Sequence, residues 1–295
     1  MPNNPADLET LQTALRPAIH RYCARMVGSV VDGEDVIQEA MLRAYLAWPS
    51  NDKIDNPEGW LFRIAHNAAL DFLRRKVRMP ELLTEEELDM IAAPEEPDPD
   101  IAETSLRTFL RLPSLQRSAV ILKDVLGHSI EEISSEIGVS EPAAKSALQR
   151  GRVRLREMAA EPESISTPAL SDAMRLRLFV YVDSFKTGDF DTVRAMLAED
   201  VKLDLVGRFQ KQGKNKVSDY YGAYAAAKRW AFSAGIVDGL PAMLVYDREV
   251  SLDEPAYFVA LTFAGDKVSS IHDFLYARYA MEAVSIHELR DRSKA

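Results

Sequence analysis

A single cysteine, Cys23, stands among 295 residues, so no internal disulfide can staple the fold. It lies in an apolar-periodic segment, which suits a small buried side chain. No run of eighteen apolar residues occurs, and the opening "MPNNPADLETLQ" lacks the basic-then-apolar order of a secretory signal. The expected location is therefore the cytoplasm, with no membrane contact. Also missing are a Gly-rich phosphate loop, a nucleophile elbow and a cluster of metal ligands, so no cofactor, metal or catalytic residue is expected. One further absence is local. Residues 81–104, "ELLTEEELDMIAAPEEPDPDIAET", hold 10 acidic side chains and no basic one, which equals the formal net charge of -10 on the whole chain. With Pro94, Pro97 and Pro99 in it, this stretch cannot bury enough apolar surface to offset its ordering entropy, and a flexible acidic linker is expected. Either it is a solubilising tether, or it competes for basic surfaces and holds them off non-specific DNA.

What is present reads as packed domains, since 47% of the residues are apolar. From Leu8 to Arg78 the pattern is helical. In "EDVIQEAMLRAYLAW" the apolar positions Ile37, Met41, Ala44 and Trp48 share one face, while Asp35, Gln38, Glu39 and Leu42 fall on another. In "DNPEGWLFRIAHNAALDFLRRKVR", Asn56 is a candidate N-cap and Pro57 the first helical residue, with Leu61, Ile64, Ala65, Ala68 and Phe72 as the buried stripe. Arg74, Arg75, Lys76 and Arg78 gather where that helix ends.

Residues 105–160 form a second helical unit. Ser129 and Glu132 make a capping box for a short helix stopping at Gly138, and Ser140 caps a longer one with Pro142 in its first turn. Short helix, glycine turn, long basic helix is helix-turn-helix order. On the long helix Ala144, Leu148 and Leu155 share a face, and Lys145, Ser146, Gln149, Arg150 and Arg152 project from it, a set suited to phosphates and base edges.

"EPESISTPAL" at 161–170 reads as a second linker. Helices are expected at 172–187, at 190–198 and near 216–230, with a strand at "VKLDLVG" between the last two. From Pro241 the chain alternates in β-formers, giving an α+β domain whose sheet is expected to be antiparallel.

The pairing of "EDVIQEAMLRAY" with "GWLFRIAHNAALDFLRR", followed by a linker and "LPSLQRSAVILKDVLGHSIEEISSEIGVSEPAAKSALQRGRVRL", resembles the extracytoplasmic-function (ECF, group 4) sigma factors of bacterial RNA polymerase. The resemblance spans about residues 10–160. It implies two all-α sigma domains that bind core RNA polymerase and promoter DNA. Asp35, Gln38, Glu39 and Leu42 match the family's helix for the β′ clamp helices. Asn67, Asp71, Arg74 and Arg75 match its −10 reading segment, and Lys145, Ser146, Gln149, Arg150 and Arg152 match its −35 helix, in a domain that also meets the β flap. As bare residues, the first set also suits a solvated helix face, and Asp71 could pair with Arg75. Two positions depart from the pattern: Ala147 stands where arginine is common, and Gly151 where alanine is common, the latter costing about 1 kcal/mol in a helix interior.

The C-terminal third resembles SnoaL-like members of the NTF2 superfamily, a cone-shaped α+β fold. In some ECF sigma factors such an extension regulates, which implies an intramolecular contact with the sigma domains or the linker. The expected order is thus 8–80 for sigma region 2, 81–104 for the acidic linker, 105–160 for sigma region 4, 161–170 for a linker, 171–285 for the SnoaL/NTF2-like domain and 286–295 for a tail. A rival reading is a one-component regulator, in which a ligand-responsive helix-turn-helix binds an operator without polymerase, but it leaves the two N-terminal helices unexplained. A third, an isomerase or cyclase, needs an acid/base pair. His272 and Asp273 are adjacent on a strand and point to opposite faces, which argues against one. Asp204, Tyr220, Tyr221, Tyr246 and Tyr276 are the other candidate pocket groups.

Overall fold

The computed structural model describes residues 5–48, 54–76, 96–98, 101, 104–159, 170–221, 224 and 229–290. The chain divides into two compact units, Met1–Ser164 and Ile165–Ala295. Most of the acidic linker, residues 161–169 of the second linker and Arg78 lie outside the described residues.

The first unit is all helical. Helices α1 (Pro5–Val27), α2 (Val30–Ala47) and α3 (Pro57–Lys76) make one bundle, and α4 (Leu106–Leu110), α5 (Ser114–Val120), α6 (Ile130–Ile137) and α7 (Glu141–Ala159) make the helix-turn-helix region. Local chemistry sets the boundaries. The Ser29 hydroxyl accepts from the Asp32 amide, Asn56 Oδ1 accepts from the Gly59 amide, and the Ser129–Glu132 box is complete. Gly138 ends α6 with φ +74°, the left-handed conformation that glycine adopts without strain.

These two helical regions share one apolar core, in which Tyr22, Met26, Leu61 and Phe62 join Phe109, Val120 and Ile121. Across the seam, Arg63 Nε donates to the Ser135 carbonyl at 2.9 Å, and the Phe62 and His128 rings meet edge to face at 4.9 Å. Deeper in, Arg117 is buried and donates to the carbonyls of Met26, Leu110 and Leu112. His66 Nδ1 lies 2.7 Å from the Tyr22 hydroxyl and 3.4 Å from the Ser118 hydroxyl. Cys23 is buried, as its surroundings in sequence suggest.

In the second unit, α8 (Asp172–Thr187) is capped by Ser171 and stopped by Gly188, and its Leu178, Tyr181, Val182 and Phe185 pack on a seven-stranded sheet. The sheet order is β2-β1-β6-β5-β4-β3-β7. Its strands are β1 (Leu197–Leu205), β2 (Phe209–Gln212), β3 (Trp230–Val237), β4 (Leu240–Asp247), β5 (Tyr257–Ala264), β6 (Lys267–Asp273) and β7 (Ile286–Glu288). The sheet is mixed rather than antiparallel, because β1 runs parallel to β6.

Three other expectations are corrected. Helix α9 (Phe190–Ala195) stops before 198, where Val268 and Lys267 of β6 bond the carbonyls of Met196 and Ala195 and draw the chain into the sheet. The helix near 216–230 is not continuous: α10 covers Lys214–Ser218, the chain turns at 219–220, Tyr221 and Tyr224 are helical again, and β3 starts at Trp230. The alanine-rich "AYAAAKRW" masked the β-formers of "WAFSAGIV" that follow it. The sheet also extends beyond 285, since β7 pairs with β3.

Deeply buried titratable groups of the two units give acid dependences of opposite sign. In the first, burial lowers the His20 and His66 rings from 6.5 to about 4. Their neutral forms stabilise the fold above pH 6.5, and this stabilisation falls away towards pH 4 by roughly 3 kcal/mol for each ring. In the second unit burial raises the Asp273 carboxyl, although phenol donors pull it back. Its contribution is full below the unfolded value near 4 and is lost as pH rises through the raised value. The chain has three tryptophans, Trp48, Trp60 and Trp230. Urea unfolding read by Trp48 and Trp60 in a Trp230→Phe variant should show a stability loss between pH 6.5 and 4. Read by Trp230 after Trp48→Phe and Trp60→Phe, the Asp273→Asn variant should lose the opposite trend. A flat profile in the first unit would contradict the burial of the two rings.

Candidate nucleic-acid interface

Helix α7 gets its direction from its packing. Ala144, Ala147, Leu148, Gly151 and Leu155 are buried, which turns Lys145 out fully and Ser146, Gln149 and Arg150 partly. The two departures from the family pattern belong to this buried face. A Cβ on Gly151 would stand 2.5 Å from Val120 Cγ2 and 3.1 Å from the Gln116 carbonyl, so glycine is what lets α5 approach α7. Ala147 faces the core, where an arginine would have no water to reach.

Arg152 departs from the expectation of a DNA contact. It is 2% exposed, and its Nε donates to Asp124 Oδ2 at 3.0 Å while Nη2 reaches the other oxygen and the Glu96 carbonyl. The reason lies after α5, where the π-helical turn Ile121–Val125 carries Asp124 toward α7. A two-oxygen carboxylate then takes the guanidinium as a fork. Asp124 also accepts from the Asp98 amide at 3.0 Å, and Asp98 pairs with Arg156 at 2.8 Å. The described end of the acidic linker therefore lies on the basic helix.

On α2, Asp35 and Leu42 are exposed, while Gln38 and Glu39 are half-buried. Leu42, Tyr45 and Leu46 are 58%, 66% and 76% exposed and form an apolar strip flanked by acids. Tyr45 and Leu46 are additional to the sequence-derived set. Their spacing of three and four from Leu42, off the Ile37–Ala40–Ala44 stripe, is the signal for them.

On α3, Asn67, Arg74 and Arg75 are exposed. Asp71 pairs with Arg43 at 2.8 Å and with Arg74 at 3.5 Å, rather than with Arg75. Arg43 also holds Glu39 at 2.8 Å, and Asp71 first, then Glu39, keep its guanidinium above the ordinary arginine range. One arginine thus ties Glu39 of α2 to Asp71 of α3. Asp35, Val36, Glu39, Phe72, Arg75 and Lys76 line a cleft of about 380 Å³ there. Trp60 packs edge-on against Trp48 at 5.6 Å, half-buried.

In the second unit a set of phenols converges on Asp273. Asp273 is fully buried and accepts from Tyr220, from Tyr224 at 2.7 Å and from the Leu275 amide at 2.8 Å. Tyr224 in turn lies 2.9 Å from the Tyr257 hydroxyl. Burial raises all three phenols well above their usual range. Tyr221 lies 3.4 Å from Tyr181, whereas Tyr246 bonds Ser233 at 3.2 Å and Tyr276 is exposed.

Among the described residues no helix is long and apolar enough to cross a membrane. Residues 11–79 match Sigma-70 region 2 and residues 106–155 match Sigma-70, region 4. The ECF RNA polymerase sigma factor SigG of Mycobacterium tuberculosis is 28% identical over 86% of this chain and 77% of its own length, so that likeness runs beyond the two sigma regions. SigM of the same bacterium is 33% identical over 48% of this chain and 70% of its own. Among solved structures, that of the M. tuberculosis extracytoplasmic function sigma factor SigJ aligns at 22% identity and a TM-score of 0.35, covering 88% of this chain and 93% of that one. Two all-α sigma regions are followed by an α+β unit, and the chain belongs to the extracytoplasmic-function sigma factors, which partner with core RNA polymerase and promoter DNA.

Proposed function

We propose that this sigma factor acts in the cytoplasm with its contacts divided among three faces. The α2 face of Asp35, Gln38, Glu39 and Leu42, extended by Tyr45 and Leu46, docks on the β′ clamp helices. Asn67, Arg74 and Arg75 meet the −10 element, with Asp71 positioning Arg74. Lys145, Ser146, Gln149 and Arg150 meet the −35 element, in a region that also meets the β flap. Residues 165–295 tune this activity through an intramolecular contact. The observation that carries the reading is the apolar strip on α2, since a regulator that only binds an operator has no use for three large exposed side chains there.

The packed first unit is the resting form. Elements named −10 and −35 lie about 25 base pairs apart, roughly 80 Å along B-form DNA. A compact unit of this size is about 40 Å across, so the two regions must part to read both. Burial of Arg152 against Asp124 and the linker carbonyl of Glu96 supports the linker's role as a competitor for the basic helix.

Three outcomes follow. Leu42→Ala with Leu46→Ala should weaken binding to core polymerase by about a hundredfold, from roughly 3 kcal/mol of lost burial, at unchanged thermal stability. An unchanged Kd by fluorescence anisotropy would remove the assignment. Arg150→Ala should leave stability intact and lower the salt slope of promoter binding by about one, whereas Arg152→Ala should destabilise by roughly 3 kcal/mol because it leaves Asp124 buried without its cation. A chain ending at residue 165 should retain core binding in co-elution but change run-off transcript yield. Equal yields from the two lengths would show that the C-terminal unit does not regulate.

A further inference from the structure

The second unit carries a cleft of about 530 Å³ lined by Arg229, Trp230, Leu275, Tyr276, Arg278 and Tyr279, a size that suits a small organic ligand. Its charges are not balanced. Arg229 is committed: it forks onto the buried Asp247, also approaches Glu249 at 3.7 Å, and lies over the Trp230 ring at 5.1 Å. Arg278 is exposed at the edge of the cleft, and its side chain has no carboxylate partner among the described residues. Arg208 adds a second cation, lying over the Tyr276 ring at 4.4 Å. Asp247 and Glu249 both face Arg229, so the cations that border the aromatic walls without an ion pair among the described residues are Arg278 and Arg208.

Those walls are fixed from behind. The Trp230 ring meets Tyr257 edge to face at 5.4 Å, and Tyr257 is bonded through Tyr224 to Asp273. The Leu275 amide donates to the same carboxyl. An indole face held in place and a guanidinium at the rim present, in one cleft, a flat apolar surface and a two-pronged donor.

We infer that this cleft is a binding site for a small aromatic carboxylate, with Arg278 receiving the carboxylate and Trp230, Tyr276 and Tyr279 receiving the ring. The assignment goes beyond the sigma activity and does not depend on it.

The test uses the full chain and two probes that differ in charge, 2-naphthoate and 2-naphthamide, in calorimetric titrations. The expected result is saturable one-to-one binding of the naphthoate, at least about tenfold tighter than the amide, because a charge-assisted fork contributes more than a neutral hydrogen bond. Arg278→Ala should lose about tenfold for the naphthoate and leave the amide unchanged, and since Arg278 is exposed the variant keeps its fold, checked by circular dichroism. Quenching of Trp230 emission in the Trp48→Phe, Trp60→Phe background should track the same saturation curve. No saturation by about 1 mM, a preference over the amide smaller than tenfold, or wild-type affinity in Arg278→Ala would each overturn the proposal. Transcription is not a readout in any arm, so failure here is separate from failure of the polymerase assignment.

Discussion

A buried guanidinium holds the first unit together. Arg117 is 6% exposed, and burial lowers it from 12.5 to about 10, so its charge has to be met within the protein. It is met by backbone carbonyls at the ends of two helices, Met26 in the last turn of α1 and Leu110 at the end of α4, with Leu112 just beyond. Helix C-termini leave such carbonyls without intrahelical partners and carry the negative end of the helix dipole, so a cation there satisfies groups that would otherwise need water. Because one of those helices belongs to region 2 and the other to region 4, the same side chain that solves a local problem also joins the two regions. Separating them would expose the apolar core they share and leave these carbonyls to solvent.

The acidity of a DNA-binding chain finds its explanation in the same unit. The linker that carries the equivalent of the whole net charge approaches α7 at its described end, where Asp98 meets Arg156 and the Glu96 carbonyl meets Arg152. Linker oxygens thus sit against two arginines of α7, side chains of the kind that also bind phosphates. Arg152 is the clearest instance. Its fork geometry would suit a base edge or a phosphate, yet it spends both prongs on Asp124.

Much of this was legible in the sequence because it is written in local chemistry. Caps at Ser129 and Asn56, the glycine stop at Gly138 and the apolar stripes of α2 and α7 depend on spacing within one helix, and they appear where spacing puts them. The residues misread are those whose partners are far away in the chain. Arg152 looked like a surface cation because its partner is twenty-eight positions earlier, on a π-turn that periodicity does not reveal. Gly151 looked like a defect in a helix because the constraint on it comes from Val120 and Gln116. The donors to Asp273, Tyr220 and Tyr224, likewise lie about fifty positions earlier, beyond the reach of strand alternation. In β3, an alanine-rich run upstream outweighed the β-formers, and only pairing with β4 and β7 fixes the strand.

The seam and the apolar strip on α2 together set the energetics of activation. A seam with a shared core and charge-assisted hydrogen bonds favours the packed form. Opening must therefore draw on the free energy of an outside surface, and a partner shifts the equilibrium only by its differential affinity for the two forms. The α2 strip is exposed while the regions are packed, so it can engage a partner before they part. Engagement at α2 alone would bind both forms equally and open nothing. The shift has to come from contacts that the packed form hides or forbids, namely those of the second region made at a distance from the first. A partner that offers two docking surfaces too far apart for the packed unit meets that condition.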